Sequence, residues 1–207
     1  LHEQNAFPGL ANRYLARRAD AVCLTFAEAG GYFPHPERLH HTGLPIRRQI
    51  LTASREAAWD YFAVPLAERD RFTLLITGGS QGAANLNRAA QAAYTSLLRC
   101  GVRIVHLCGK NHYFQLKQQI KPHPRLLLLP YLDQMEHALA LADLALARAG
   151  ASFLAEAAVI GLPTILVPYP YAANDHQRFN ARVFAAKDAA LVVEDAELTG
   201  KLLDRKS

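Results

Sequence analysis

The chain has 207 residues, and 23 basic against 18 acidic side chains give it a formal net charge of +5. With 51% apolar, 9% aromatic and 20% charged residues it has the profile of an ordinary folded protein, which excludes disorder, collagen-like repeats and low-complexity sequence. The length suits one large domain or two small ones, at roughly 100–200 residues per domain. No stretch approaches the ~20 continuous apolar residues that a bilayer span requires. The first residues, Leu1-His2-Glu3-Gln4-Asn5, lack the basic start and apolar run of a signal peptide, and the chain reads as beginning partway through a longer protein. Cys23, Cys100 and Cys108 fit neither a disulfide framework nor a zinc pattern and read as reduced core residues of a cytosolic protein. A pI near 9.2 suits a protein that meets anionic lipid, nucleic acid or phosphorylated substrates, although an ordinary basic surface gives the same number.

In chain order, the pattern predicts a helix over Leu10–Arg18, a strand over Ala21–Thr25, and a charged, helix-prone connection over Arg48–Asp70 that carries Pro65. Strands then follow at Thr73–Thr77, Arg103–Leu107, Leu126–Leu129, Leu144–Ala147, Thr164–Val167 and Leu191–Val193. Helices are expected between them at Ala84–Leu98, Tyr113–Ile120, Gln134–Leu141, Phe153–Ile160 and Gln177–Lys187. Uninterrupted apolar strands alternating with helices argue for an α/β fold, a parallel sheet with helices on both faces. A boundary falls between Arg47 and Arg71. The six strands after it make a complete Rossmann-like domain. The roughly 46 residues before it are too few to bury a core alone and read as the tail of another α/β domain.

Three strand-to-helix turns carry polar chemistry. In the first, Thr77-Gly78-Gly79-Ser80-Gln81-Gly82, glycines let backbone approach a ligand at a helix start whose free N–H groups favour anions. A tight turn that needs glycine explains the same residues, and the loop is neither a Walker A motif nor G-x-G-x-x-G. The second is Arg148-Ala149-Gly150-Ala151-Ser152, where Ser152 is a candidate N-cap and Glu156 a lone carboxylate among apolar residues. Glu156 either offsets the helix dipole or accepts hydrogen bonds from ligand hydroxyls, such as those of a ribose. The third runs from Pro168 to Gln177, where an amide and an imidazole could read sugar hydroxyls or simply cap a helix. Together the turns offer two helix N-termini, a hydroxyl, a carboxylate and an amide at strand carboxyl ends, a set that suits a nucleotide-sugar.

These residues occur in a recognisable order. His2-Glu3-Gln4-Asn5-Ala6, Thr42-Gly43-Leu44-Pro45-Ile46-Arg47, Gly78-Gly79-Ser80-Gln81-Gly82-Ala83, Arg148-Ala149-Gly150-Ala151-Ser152 with Glu156, and Asp175-His176-Gln177 with Asn180-Ala181 resemble the motifs of the MurG family, the peptidoglycan GlcNAc-transferases. His106-Leu107-Cys108-Gly109-Lys110 and Tyr131-Leu132-Asp133-Gln134-Met135 fall in place between them. The resemblance implies the GT-B arrangement of two Rossmann-like domains, with residues 1–47 a remnant of the acceptor domain plus linker and 48–207 the UDP-GlcNAc-binding domain, truncated at its end.

The implied reaction is an inverting transfer of GlcNAc to the 4-hydroxyl of undecaprenyl-diphospho-MurNAc-pentapeptide, at the cytoplasmic face of the bacterial inner membrane. The implied donor contacts are Asn5, Arg47, Ser80 near the phosphates, Leu132 at the uracil, Ala151, Ser152, Phe153, Leu154, Ala155, Glu156 on the ribose, and Gln177 on the GlcNAc. His2, Gln81, Arg148 and His176 are further cleft candidates. The resemblance implies no cofactor, metal or nucleic acid, while an anionic membrane surface is expected as a partner. The family's glycine-rich Gly-Gly-His loop, which carries the usual base, has no match in these residues, so no catalytic base is assigned and the chain alone is expected to be inactive. Leu44 replaces the usual Asn of the Gly-Asn-Pro turn, and Phe153 stands where a smaller residue is common. A donor-binding module that needs a partner chain for acceptor and base is the alternative.

Overall fold

The computed structural model describes residues 1–206. Two parallel sheets are present. The smaller has the order β1 (His2–Glu3), β2 (Val22–Leu24), β3 (Leu39–His41), with α1 (Leu10–Leu15) between its first two strands. Only β2 coincides with an expected strand. The other two are short and mostly polar, so neither an apolar run nor alternation marks them in the sequence. Val22, Leu24, Ala16, Ala29 and Phe33 form the small core of this part.

The charged connection folds into α2 (Arg48–Thr52) and α3 (Arg55–Tyr61), the latter capped by Ser54, whose hydroxyl accepts from the Ala57 N–H at 3.1 Å. Arg55 fastens it to the larger sheet by a bidentate pair with Asp143, at 2.7 and 3.0 Å. Asp143 also accepts the Thr73 N–H at 2.7 Å. Partial burial raises the Asp143 pKa, but the Arg55 pair and the Thr73 N–H outweigh it and hold the carboxyl below its ordinary range.

The larger sheet contains β4 (Thr73–Thr77), β5 (Arg103–Leu107), β6 (Leu126–Leu129), β7 (Leu144–Ala147), β8 (Thr164–Leu166) and β9 (Ala190–Val192), all parallel, in the order β6-β5-β4-β7-β8-β9. This is the doubly wound order of a dinucleotide-binding fold. The interleaved helices are α4 (Ala84–Arg99), α5 (Lys110–Gln119), α6 (Met135–Leu141), α7 (Ala151–Val159), α8 (His176–Ala185) and α9 (Gly200–Lys206). Side chains alternate between faces: Leu74, Ile76, Ile104 and Leu146 pack with α4, whereas Leu75, Val105 and Ala145 pack with α6 and the connection. The expected strands and helices of this part are present, four strands with the expected bounds and the other elements with an end shifted by one to three residues, and α9 is additional. It closes onto α4 so tightly that a Cβ on Gly200 would lie 2.7 Å from that of Ala92.

Two expectations change. Of the cysteines only Cys108 is buried; Cys23 is half-buried and Cys100 is exposed at the end of α4, where a short side chain is tolerated without packing. Ser152 is not a cap: Gly150, with extended backbone, is the N-cap of α7, which places Ser152 inside the first turn. Among the described residues, no helix is long and apolar enough to cross a membrane.

The two sheets meet through Asn180, which is fully buried. Its Oδ1 accepts the Ala6 N–H at 2.8 Å, and its Nδ2 donates to Asn5 Oδ1 at 3.0 Å and to the Ala149 carbonyl at 3.2 Å. Phe7 stacks on Phe179 beside it, with ring centroids 4.9 Å apart.

Candidate functional site

The order of the larger sheet reverses between β4 and β7, so the chain leaves these neighbouring strands toward opposite faces and opens a crevice at their carboxyl ends. The Gly78–Ser80 turn enters it from one side and the Arg148–Ser152 turn from the other. They share a cavity of about 560 Å³. Gly150 offers no side-chain cap, so the N–H groups of the first turn of α7 have no intrahelical acceptor and face this end of the sheet, with the positive end of the helix dipole.

The glycine turn is shaped by close backbone approach. A Cβ on Gly82, which has φ +75°, would lie 2.1 Å from the Cys108 carbonyl oxygen; a Cβ on Gly109, with φ +87°, would lie 2.5 Å from that of Gln81. Thr77 Oγ1 accepts the Gly79 N–H at 3.3 Å and helps to fix the turn. Both glycines are therefore required by sterics, in addition to any ligand they admit.

Of the expected site residues, Arg47, Ser80, Leu132, Ala151, Ser152, Phe153, Glu156, Gln177 and Arg148 line this cavity. Glu156 accepts from an Arg47 guanidinium N–H at 3.2 Å, with the Glu156 side chain 17% exposed and that of Arg47 49%. The position of Glu156 weighs on its two readings. It is the sixth residue of α7, beyond the first turn over which the helix dipole acts strongly, so offsetting that dipole is a weak reason for its presence. Gln177 Oε1 accepts the Tyr169 N–H at 3.0 Å, which leaves its amide N–H groups for a ligand. Arg148 is turned inward: it pairs with Asp195 at 2.6 Å, donates to the Val167 and Pro168 carbonyls, and lies under the Tyr169 ring.

The remaining expected residues lie outside the cavity. Leu154 is fully buried in the core. Ala155 faces a second cavity of about 530 Å³ between the sheets, lined mainly by apolar side chains such as Phe26, Ile46 and Phe184, with Thr25, Glu28, His41 and Lys187 among them. Asn5 is held at the seam by Asn180, and His2 Nε2 lies 3.1 Å from the Gly43 carbonyl and 3.3 Å from Thr25 Oγ1. His176 Nδ1 lies 2.8 Å from the Ala173 carbonyl, at a turn where Asn174 and Asp175 both have positive φ. Gln81 contributes its backbone to the glycine crossing. The cavity also takes in Thr77, Leu107, Pro130, Tyr131 and Met135. Their common signal was position, at or just after the carboxyl ends of β4, β5 and β6, a criterion that would have found them from the sequence. Among the described residues no three His, Cys, Asp or Glu side chains converge as metal ligands would.

Residues 73–206 match the model of the glycosyltransferase family 28 C-terminal domain. The chain belongs to this family. The family 28 region thus begins at β4 and runs through α9, containing all six strands that build the crevice. Along nearly its whole length the chain is also similar to MurG-type transferases. It is 44% identical over 208 residues to a protein of Moorella thermoacetica, covering 97% of this chain and 55% of that one. It is 40% identical over 214 residues to one of Desulforamulus reducens, covering 98% and 56%. Both are named UDP-N-acetylglucosamine–N-acetylmuramyl-(pentapeptide) pyrophosphoryl-undecaprenol N-acetylglucosamine transferase. The crystal structure of MurG from Acinetobacter baumannii matches with a TM-score of 0.75 at 30% identity, over 99% of this chain and 56% of that chain. The family 28 chain described here therefore spans about half the length of the relatives it matches.

Proposed function

We propose that the crevice binds UDP-GlcNAc and that the chain supplies the donor half of a MurG-type GlcNAc-transferase. The convergence of the Gly78–Ser80 turn, the uncapped start of α7, Arg47 and Glu156 on one cavity carries this reading. The diphosphate lies over the N–H groups of Ala151, Ser152 and Phe153, with Ser80 and Arg47 on its flank. Glu156 accepts from the ribose hydroxyls. The uracil sits against the backbone of Leu132 beside Met135, and Gln177 donates to a hydroxyl of the GlcNAc. In the transfer, the 4-hydroxyl oxygen of the lipid-linked muramoyl sugar attacks C1 of GlcNAc with inversion, and the bond from C1 to the diphosphate breaks. The hydroxyl proton passes to a base that no residue of this cavity supplies. Negative charge grows on the departing UDP, where the α7 N-terminus and Arg47 are already placed to stabilise it.

The lipid-linked acceptor places the work of such an enzyme at the inner face of a bacterial plasma membrane, with the protein bound peripherally. In α1, Leu10, Tyr14 and Leu15 are exposed beside Arg13, Arg17 and Arg18, an apolar and basic surface suited to an anionic bilayer. Calorimetric titration with UDP-GlcNAc and with UDP tests the donor reading. Saturable binding that UDP abolishes by competition is expected; a folded chain that binds neither ligand overturns it.

A further inference from the structure

The glycine turn that would hold the diphosphate has little of its own to keep it in place. Of its five residues only Ser80 and Gln81 carry side chains, and among the described residues neither side chain hydrogen-bonds to the body of the protein. Its support comes from outside, through the backbone crossing with Leu107–Gly109 already described. The Cys108 carbonyl, against which Gly82 rests, accepts a hydrogen bond at 2.9 Å from Nδ2 of Asn87, a buried residue on the first turn of α4. Asn87 Oδ1 in turn lies 3.0 Å from His106 Nε2, and His106 Nδ1 is hydrogen-bonded to the Tyr94 hydroxyl.

The donors and acceptors can be matched in one way only. The Cys108 carbonyl requires a donor, so the amide presents Nδ2 to it and Oδ1 to the imidazole. Oδ1 requires a donor, so the proton of the imidazole is on Nε2. The bare Nδ1 then accepts the Tyr94 O–H. Burial keeps the ring neutral, lowering the His106 pKa to about 3, and raises the phenol of Tyr94 above its ordinary value. A neutral ring with a single N–H prevents the amide from flipping. The series runs Tyr94 to His106 to Asn87 to the Cys108 carbonyl and ends at the turn. None of its side chains lines the crevice, while Gly78, Gly79, Ser80 and Leu107, on either side of the crossing, do.

We infer that Asn87, with its amide oriented by His106, is a positioning residue that holds the Gly78–Gly82 turn at the diphosphate through the Cys108 carbonyl. The inference rests on the donor-site reading above. Its test uses the full 207-residue chain and two probes that differ only in the diphosphate, UDP and uridine, titrated by calorimetry and by ligand-observed NMR. Circular dichroism establishes a temperature at which each variant is folded. In Asn87→Ala the UDP dissociation constant should rise about five- to tenfold, the share of one buried hydrogen bond that reaches the ligand, while that of uridine stays the same. Tyr94→Phe removes the far end of the series but leaves the bond from Asn87 to Cys108. It should lower the melting temperature and leave the ratio of the two dissociation constants unchanged. Equal weakening of UDP and uridine in Asn87→Ala would show a general structural role and overturn the inference, as would unchanged UDP affinity in a folded Asn87→Ala chain. If the unsubstituted chain binds uridine but gains nothing from the diphosphate, the donor-site reading fails first, and the inference with it.

Discussion

Replacing Glu156 by alanine separates what its carboxylate does for the fold from what it does for a ligand. In the free protein its partner is Arg47 at 3.2 Å, and half of the Arg47 side chain is in water. An ion pair so exposed contributes about 0.2–1 kcal/mol after solvent screening. The apolar face of α7, with Leu154 and Ala157 buried, is untouched. Unfolding should therefore shift by no more than about 2–4 °C for a chain of this size. Hydrogen bonds from ribose hydroxyls to a carboxylate contribute more, about 1.5–3 kcal/mol, so the dissociation constant for UDP should rise about ten- to hundredfold. Calorimetry with UDP and with its 2′,3′-dideoxy analogue, alongside thermal unfolding, measures both effects. UDP should lose affinity and the dideoxy analogue should not. Equal affinity of wild-type and Glu156→Ala chains for UDP, with the fold intact, would refute the ribose role.

Gly82→Ala should destabilise the chain by several kcal/mol or prevent folding, since its Cβ meets the backbone of Cys108 at 2.1 Å and its φ is +75°; a melting temperature within a degree of wild type would show that the crossing yields easily. Stability should also fall as pH drops below about 6.5 toward 3. Over that range the unfolded chain protonates His106 while the folded chain, with the imidazole pKa lowered to about 3, does not. Urea titrations across this range check the slope, and a folded His106→Phe variant should show a shallower one. Exchanging Arg13, Arg17 and Arg18 for glutamate should reduce co-sedimentation with anionic vesicles at low salt, and pelleting equal to wild type would remove the electrostatic part of the membrane reading.

The larger sheet was legible because its central strands are buried on both faces. Thr73–Thr77 and Arg103–Leu107 each carry a central apolar run, Leu74–Ile76 and Ile104–Val105, and their ends match the expectation to the residue. The smaller sheet was not. His2–Glu3 and Leu39–His41 are strands by pairing with Val22–Leu24, a non-local fact that two or three mostly polar residues do not encode. The crevice was legible as three glycine-rich or polar turns at strand ends. What the turns did not reveal was how the side chains divide between ligand and scaffold. Arg148 looked available in the sequence, and the structure commits it to Asp195. Asn180 stood in a motif without a role, and it proves to join the two sheets. Such partners lie 40 or more positions away, beyond the reach of local pattern.

That junction constrains how the smaller sheet can move. Beyond the covalent connection through residues 42–47, it is held where Asn180 and Phe179 grip residues 5–7 and where Phe26 packs on Phe184 in a core shared with Leu154, Leu166 and Ala181. A body held at several points along a seam cannot tilt without parting some of them. Displacing the smaller sheet therefore means breaking the Asn180 hydrogen bonds and exposing that shared core. Arg47, at the end of the covalent connection, is thereby kept beside Glu156.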